Sequence, residues 1–83
     1  MENQYFINVT IEYLNRVKNL SLPRFTNIEK IIGNILLEFN VNPSSEVAMY
    51  SKDWFRFLSD KDNLDRQMIV DGCALEIVNL ESY

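Results

Sequence analysis

Few side chains in this sequence could do chemistry. The chain of 83 residues contains no histidine, which removes the commonest general base and the commonest metal ligand. Its single cysteine, Cys73, would need a base or a positive charge beside it to act as a nucleophile. Asp71 would instead raise the pKa of the thiol if the two side chains were close. We therefore expect Cys73 to be structural and the chain to have no catalytic residues.

Three carboxylates lie close together in the sequence, at Asp60, Asp62 and Asp65. A calcium loop of the EF-hand type also needs a glycine at its sixth position and a glutamate at its twelfth, and both are missing here. We expect a solvated loop, with no metal and no cofactor. The dipeptide at 71–72, Asp-Gly, is typical of a turn before a strand and needs no catalytic explanation.

The charge and composition of the chain restrict its expected binding partners and its expected cellular location. The chain carries 12 acidic and 8 basic residues, for a net charge of −4, and its lysines and arginines are scattered. Nucleic acids and anionic membranes select for clustered bases, so neither is expected as a partner. No apolar stretch approaches the ~20 residues that span a bilayer, and no signal peptide is evident. With a single cysteine and no disulfide framework, a cytoplasmic protein is expected.

The first third of the chain has the pattern of a β-hairpin. Apolar and polar residues alternate over 6–13, a short turn follows at 14–16, and a second alternating run covers 17–22. The short connection predicts an antiparallel pair. Pro23 is expected to end the second strand, because proline cannot donate to the ladder.

The period then changes to that of a helix. Thr26 and Glu29 fit a capping box, with Thr26 as the N-cap, and we predict a helix over 27–39. Asn40, Asn42 and Pro43 are expected to close it. One face of this helix carries an unbroken apolar stripe, formed by Ile28, Ile31, Ile32, Ile35, Leu36 and Phe39.

The remainder of the chain is strand-like again. Candidate strands cover 46–50, 54–58 and 74–80, with Phe55 and Phe57 expected on one face of the middle one. Leu64 and Ile69 are isolated apolar residues, expected to lie beneath a long connection. The order β-β-α-β-β-β predicts an α+β fold, as one domain over 1–83. We expect a ubiquitin-like β-grasp, with a mixed sheet of about five strands and one helix packed across one face.

The run over 63–77, NLDRQMIVDGCALEI, is similar to the closing pattern of ubiquitin-like domains: a leucine, a buried isoleucine, an acidic-glycine turn and an alternating strand. In its size, in Pro23 after the second strand and in the aromatic residues of the third and fourth candidate strands, the chain most resembles the YukD/EsaB family of Gram-positive bacteria. The resemblance covers nearly the whole chain and depends mainly on the order of elements. The resemblance implies a cytoplasmic, non-catalytic accessory protein of a type VII secretion system, bound to protein components of that machinery. The alternative is a ubiquitin-like modifier or sulfur carrier. The sequence disfavours it, because the ending NLESY has no Gly-Gly.

Two surfaces are candidates for partner binding. On the helix, Leu37 lies opposite the middle of the apolar stripe and should point to solvent, with Gly33 near that face. Either this is an ordinary exposed leucine, or it marks a contact with a partner or a second copy in a homodimer. The second candidate is the sheet face away from the helix, whose expected residues are Leu14, Ala48, Tyr50, Trp54 and Val78. For Trp54, a place in the core is an equal alternative.

Overall fold

The computed structural model describes residues 5–41 and 46–80. These contain five strands and one helix, in the predicted order β-β-α-β-β-β. The elements are β1 (Phe6–Tyr13), β2 (Arg16–Pro23), α1 (Ile28–Glu38), β3 (Val47–Ser51), β4 (Arg56–Phe57) and β5 (Ala74–Asn79).

The strands form one sheet in the order β2-β1-β5-β3-β4. The β1–β5 pair is parallel and the other neighbours are antiparallel, so the sheet is mixed. The first hairpin is tighter than predicted, because Tyr13 pairs directly with Arg16. Only Leu14 and Asn15 lie in its turn, with φ of 48° and 65°. Two left-handed residues give the turn a twist that matches that of the flanking strands.

The helix starts one residue later than the capping box predicts. The N-cap is Asn27, not Thr26, and its side-chain oxygen accepts a hydrogen bond from the Glu29 N–H. Asn27 also forms a β-bridge with Asn63, which holds its backbone in an extended conformation (ψ 132°) suited to an N-cap. A contact distant in sequence therefore selects the cap.

The helix ends near the predicted position. Phe39 is the C-cap, and Asn40 follows with φ of 59°, a conformation that asparagine tolerates better than most residues. The predicted roles of Asn42 and Pro43 lie outside the described residues. Within 5–41 and 46–80, no helix is long and apolar enough to cross a membrane.

The hydrophobic core lies between α1 and one face of the sheet. The predicted stripe of α1 packs against alternating residues of β1, β3 and β5, among them Ile11, Met49 and Leu75, which have no exposed surface. Leu64 and Ile69 are buried beneath the connection between β4 and β5, as predicted. The architecture is therefore the predicted β-grasp, with one helix across one sheet face.

The β3–β4 region departs most from the sequence prediction. The strand β3 extends one residue further, to Ser51, and β4 contains only Arg56 and Phe57. The Trp54 N–H donates to the Ser51 hydroxyl, which tightens the turn between these strands. Phe55 lies in that turn with φ of 56°, so it shares no strand face with Phe57, and that part of the prediction is wrong.

Candidate functional site

The cysteine lies in a setting that suppresses its reactivity. Cys73 is buried, and its sulfur accepts a hydrogen bond from the Val70 N–H at 3.5 Å. Burial raises the pKa of the thiol and the Asp53 carboxylate raises it further, although the Val70 N–H acts in the opposite direction. Asp71, the sequence candidate for this effect, instead accepts a hydrogen bond from the Asn8 N–H. A protonated, buried thiol is a poor nucleophile.

Two of the three aspartates of the 60–65 loop, Asp62 and Asp65, bind protein groups. The Asn63 N–H donates to Asp62, and this hydrogen bond is the main reason that the pKa of the Asp62 carboxyl is lowered. Asp65 forms an ion pair with Arg24, at 3.2 Å from its Nε. Among the residues that the structure describes, no three cysteines or carboxylates are grouped so as to hold a metal ion.

The sheet face away from α1, which we call the outer sheet face, carries four of the predicted partner-binding residues. Side chains alternate along a strand, so Ala48 and Tyr50 flank the buried Met49 on this face. Val78 pairs directly with Ala48 across β5 and β3. Leu14, 68% exposed, lies at the tip of the β1–β2 hairpin. It lines a shallow groove of about 400 Å³ together with Val78.

A fifth apolar residue of the outer sheet face was missed in the sequence. Phe57 pairs with Tyr50 across β3 and β4, and their ring centroids lie 5.1 Å apart at an interplanar angle of 73°. Edge-to-face pairs of this kind hold each other in fixed orientations. Phe57 remains 52% exposed. Only the register of β4 reveals this position, because an alternating pattern in a single strand does not say which face is outward.

Charges cross the middle of the outer sheet face. Glu12 and Glu76 pair side by side on the parallel strands β1 and β5. The Lys52 ammonium binds Glu12, and that hydrogen bond is the largest contribution to raising the pKa of Lys52, with a further contribution from Glu76. The face therefore combines apolar side chains with a partly neutralised acidic centre.

Trp54 is not a core residue. It lies in the turn between β3 and β4 and is 53% exposed, which decides between the two alternatives that the sequence left open. Large aromatic side chains at a surface are well suited to contact a partner.

Gly33 and Leu37 lie on the other side of the molecule. Leu37 is 61% exposed on α1, as the helical period predicts. Gly33 lines a groove of about 380 Å³ between α1 and β3, beside Val47 and Leu80. Because α1 covers the inner face of the sheet, these two residues cannot form one continuous surface with the outer sheet face. Six of the seven predicted residues thus belong to two separate surfaces, and the seventh, Trp54, lies in the turn between β3 and β4.

Comparisons with known proteins find the fold but no sequence family. No model of a known protein family matches the chain, and no curated protein matches it either. Solved structures do match. The N-terminal ubiquitin-like domain of the 4931431F19Rik protein is 18% identical with a TM-score of 0.76, over 93% of this chain and 77% of that one. The ubiquitin-like domain of Plasmodium falciparum Dsk2 is 15% identical with a TM-score of 0.74, over 89% and 97%.

A further match is a chain of protomer 1 of the ESX-3 core complex. It is 16% identical with a TM-score of 0.74, over 89% of this chain but only 16% of that much longer one. Identities this low establish a shared fold and leave function to be argued separately. On the sheet order, the single helix and these structural matches, this chain has the ubiquitin-like β-grasp fold.

Proposed function

We propose that this chain is a single, non-catalytic protein-binding domain that acts through its outer sheet face. In this proposal it is a cytoplasmic accessory protein of a type VII secretion system in Gram-positive bacteria. Its partners are protein components of that machinery.

The observation that carries the binding role is the apolar character of the outer sheet face. Interfaces are built around a few aromatic and aliphatic side chains that lose their remaining exposure on binding. The Tyr50–Phe57 pair supplies rigid aromatic surface, with Leu14 and Val78 beside a groove on the same face. The partly neutralised Glu12 and Glu76 would provide the polar contacts that orient a partner.

Two observations support the secretion assignment. One is the resemblance of the chain to the YukD/EsaB family in its size, its element order, Pro23 and the aromatic residues of the third and fourth candidate strands. The other is the shared fold with part of a chain of the ESX-3 core complex.

The test of the surface uses variants that should leave the fold intact. Leu14→Asn removes an exposed leucine at a position with φ of 48°, which asparagine adopts more readily. Tyr50→Thr keeps a strand-forming residue and removes the ring. Leu37→Ala is the matched control, since it removes an exposed leucine from the opposite side of the molecule.

The variants and the parent chain, each tagged, are expressed in a Gram-positive host that has a type VII system. We expect the parent and Leu37→Ala to recover a secretion component, and Leu14→Asn and Tyr50→Thr to recover at least about tenfold less. Loss of recovery in Leu37→Ala alone would move the site to α1. Recovery of no secretion component, together with unchanged secretion after deletion, would refute the secretion role.

A further inference from the structure

Among the strands that the structure describes, β2 is an edge of the sheet, because it pairs with β1 on one side and with no strand on the other. It is eight residues long and lies first in the order β2-β1-β5-β3-β4, whereas β4 at the other end has two residues. Edge strands expose a row of backbone donors and acceptors to which another strand can add. Natural proteins usually keep such edges short or cover them. An open edge strand of eight residues is therefore unusual, because it can pair with a strand of another protein.

The register of the first hairpin identifies the open backbone groups. In a two-residue hairpin, Tyr13 and Arg16 exchange hydrogen bonds, and alternate pairs along the ladder do the same. The Arg24 N–H donates to the Tyr5 carbonyl, which continues this pattern beyond the strand. Val17, Asn19 and Ser21 consequently direct their N–H and C=O groups away from β1. No described strand lies on that side.

An apolar groove runs beside this edge, between β2 and α1. It has a volume of about 370 Å³, and its lining residues include Leu20, Leu22, Ile31 and Ile35. Leu20 and Leu22 lie on the inner side of β2, because they pair with the buried Val9 and Ile7. A strand added to β2 would place alternate side chains over this groove.

Basic residues are in excess at one end of the groove, where Lys18 and Arg16 lie near a single acidic residue, Glu38, which lines the groove. Along the inner side of β2, the two leucines are followed toward the hairpin by Lys18 and then Arg16, and β2 carries no acidic residue. Both cations are held in place, since Lys18 donates to the Glu38 carbonyl and Arg16 to the Phe39 carbonyl at the end of α1. Each keeps further N–H groups for another acceptor.

From these features we propose that the β2 edge binds an extended peptide segment of a partner protein, with apolar residues at alternate positions and acidic residues at the end beside Lys18. The edge groups of Val17, Asn19 and Ser21 supply the backbone hydrogen bonds. This site is separate from the outer sheet face, so it does not depend on the function proposed above.

A second copy of this chain fits the same edge less well. An antiparallel β2–β2 pair centred on Asn19 would place Lys18 of each copy opposite Leu20 of the other, so that the two Lys18 side chains become diagonal neighbours on one face, with no acid on either strand. Like charges across a sheet interface oppose association, and lysine on an edge strand protects against self-pairing. Charge complementarity therefore favours an acidic partner segment.

The probe is a capped synthetic peptide, Asp-Asp-Val-Thr-Val-Thr-Val-Asp-Asp, titrated into the isotope-labelled full chain and followed by amide NMR spectra. We expect the largest shifts at Val17, Asn19 and Ser21, with slower amide hydrogen exchange at these three residues. Acids at both peptide ends allow either strand direction.

Modified peptides test the backbone contacts without altering the protein. One version of the peptide is N-methylated at its odd positions and the other at its even positions. Because successive N–H groups of a strand point to opposite sides, only one version loses the N–H groups that face β2. We expect one version to bind as the parent peptide does and the other to bind at least about tenfold more weakly. Equal binding by both versions would contradict strand addition.

Protein variants test the charge. Lys18→Glu should weaken binding of the acidic peptide by about tenfold and should favour a version with lysines in place of the aspartates. Lys61→Glu makes the same charge change at an exposed position of the 60–65 loop and should alter affinity less than about twofold. Tyr50→Thr should have no effect, which separates this site from the outer sheet face.

Three results would overturn the proposal. The first is no amide shift over 16–22 at millimolar peptide, and the second is a set of shifts confined to the outer sheet face. The third is a dimer in sedimentation whose β2 amides exchange slowly without peptide. The last result would identify a second copy as the occupant.

Discussion

Replacing Gly33 by alanine should make the protein more stable. Gly33 lies at the centre of α1 (Ile28–Glu38), where glycine costs about 0.8–1.0 kcal/mol relative to alanine because of its greater freedom in the unfolded chain. A Cβ built at this position meets no atom within 4 Å, so no steric cost offsets the gain. We expect the free energy of unfolding to rise by about 1 kcal/mol. For a domain of this size, that corresponds to a Tm increase of about 4–8 °C.

The measurement is urea unfolding, with calorimetry for Tm. The urea midpoint should rise while the m-value stays constant, since the surface exposed on unfolding hardly changes. Gly72→Ala is the matched control, because the same methyl group is added where φ is +90°. Here the backbone conformation opposes any side chain, and stability should fall by about 1 kcal/mol or more.

The two glycine variants together test the reasoning. If Gly33→Ala were neutral or destabilising, the helix backbone at 33 would be under a constraint that the packing does not show. If Gly72→Ala were also stabilising, the argument that a positive φ at Gly72 disfavours a side chain would be refuted. A gain in stability at Gly33 accompanied by loss of partner recovery would show that the groove beside it takes part in binding.

Three further predictions follow from burial and from the pKa shifts. Leu64→Ala should lower stability by about 2–5 kcal/mol in urea, because the side chain is fully buried; a loss below about 1 kcal/mol would mean that the site collapses around the gap. The pKa of Asp62 is lowered on folding, so its contribution to stability is present above about pH 4 and is lost as the pH falls. In Asp62→Asn, the free energy of unfolding should therefore fall less steeply as the pH decreases from about 5 to 2, as measured by circular dichroism. The same pH dependence in Asp62→Asn and the parent chain would contradict this. The Cys73 thiol should react with Ellman's reagent at least about tenfold more slowly in the folded chain than in urea, since burial raises its pKa; equal rates would mean an accessible thiol.

Most of the fold could be predicted from local patterns. The alternation over 6–13 and the stripe of α1 depend only on residues within a few positions of one another, and both elements form close to the expected bounds. The N-cap prediction failed because a distant contact selects between local choices: Asn63 holds Asn27 as the N-cap in place of Thr26. The prediction of β4 failed for a local reason, since the Trp54 N–H donates to Ser51, three residues earlier, and Trp54 and Phe55 lie in the turn.

The residues of the outer sheet face were predicted only in part, because local patterns do not give the alignment of neighbouring strands. Alternation predicted Val78 as an outward residue on the assumption that the apolar Leu75 and Ile77 face the helix, and Ala48 and Tyr50 were expected on the same face. It could not place Phe57 beside Tyr50, since that pairing depends on how β4 is aligned with β3.

The sequence by itself determined the order of elements, the composition of the core stripe and the lack of histidine. It also placed Leu37 on the exposed face of α1. Only the tertiary structure decided that Asp53 faces Cys73, that six of the seven candidate residues divide between two surfaces, and that β2 is an open edge of the described sheet beside a groove. Side-chain periods are local properties of the chain. Strand order and register are set by contacts between segments far apart in the sequence, and a surface exists only after those segments meet.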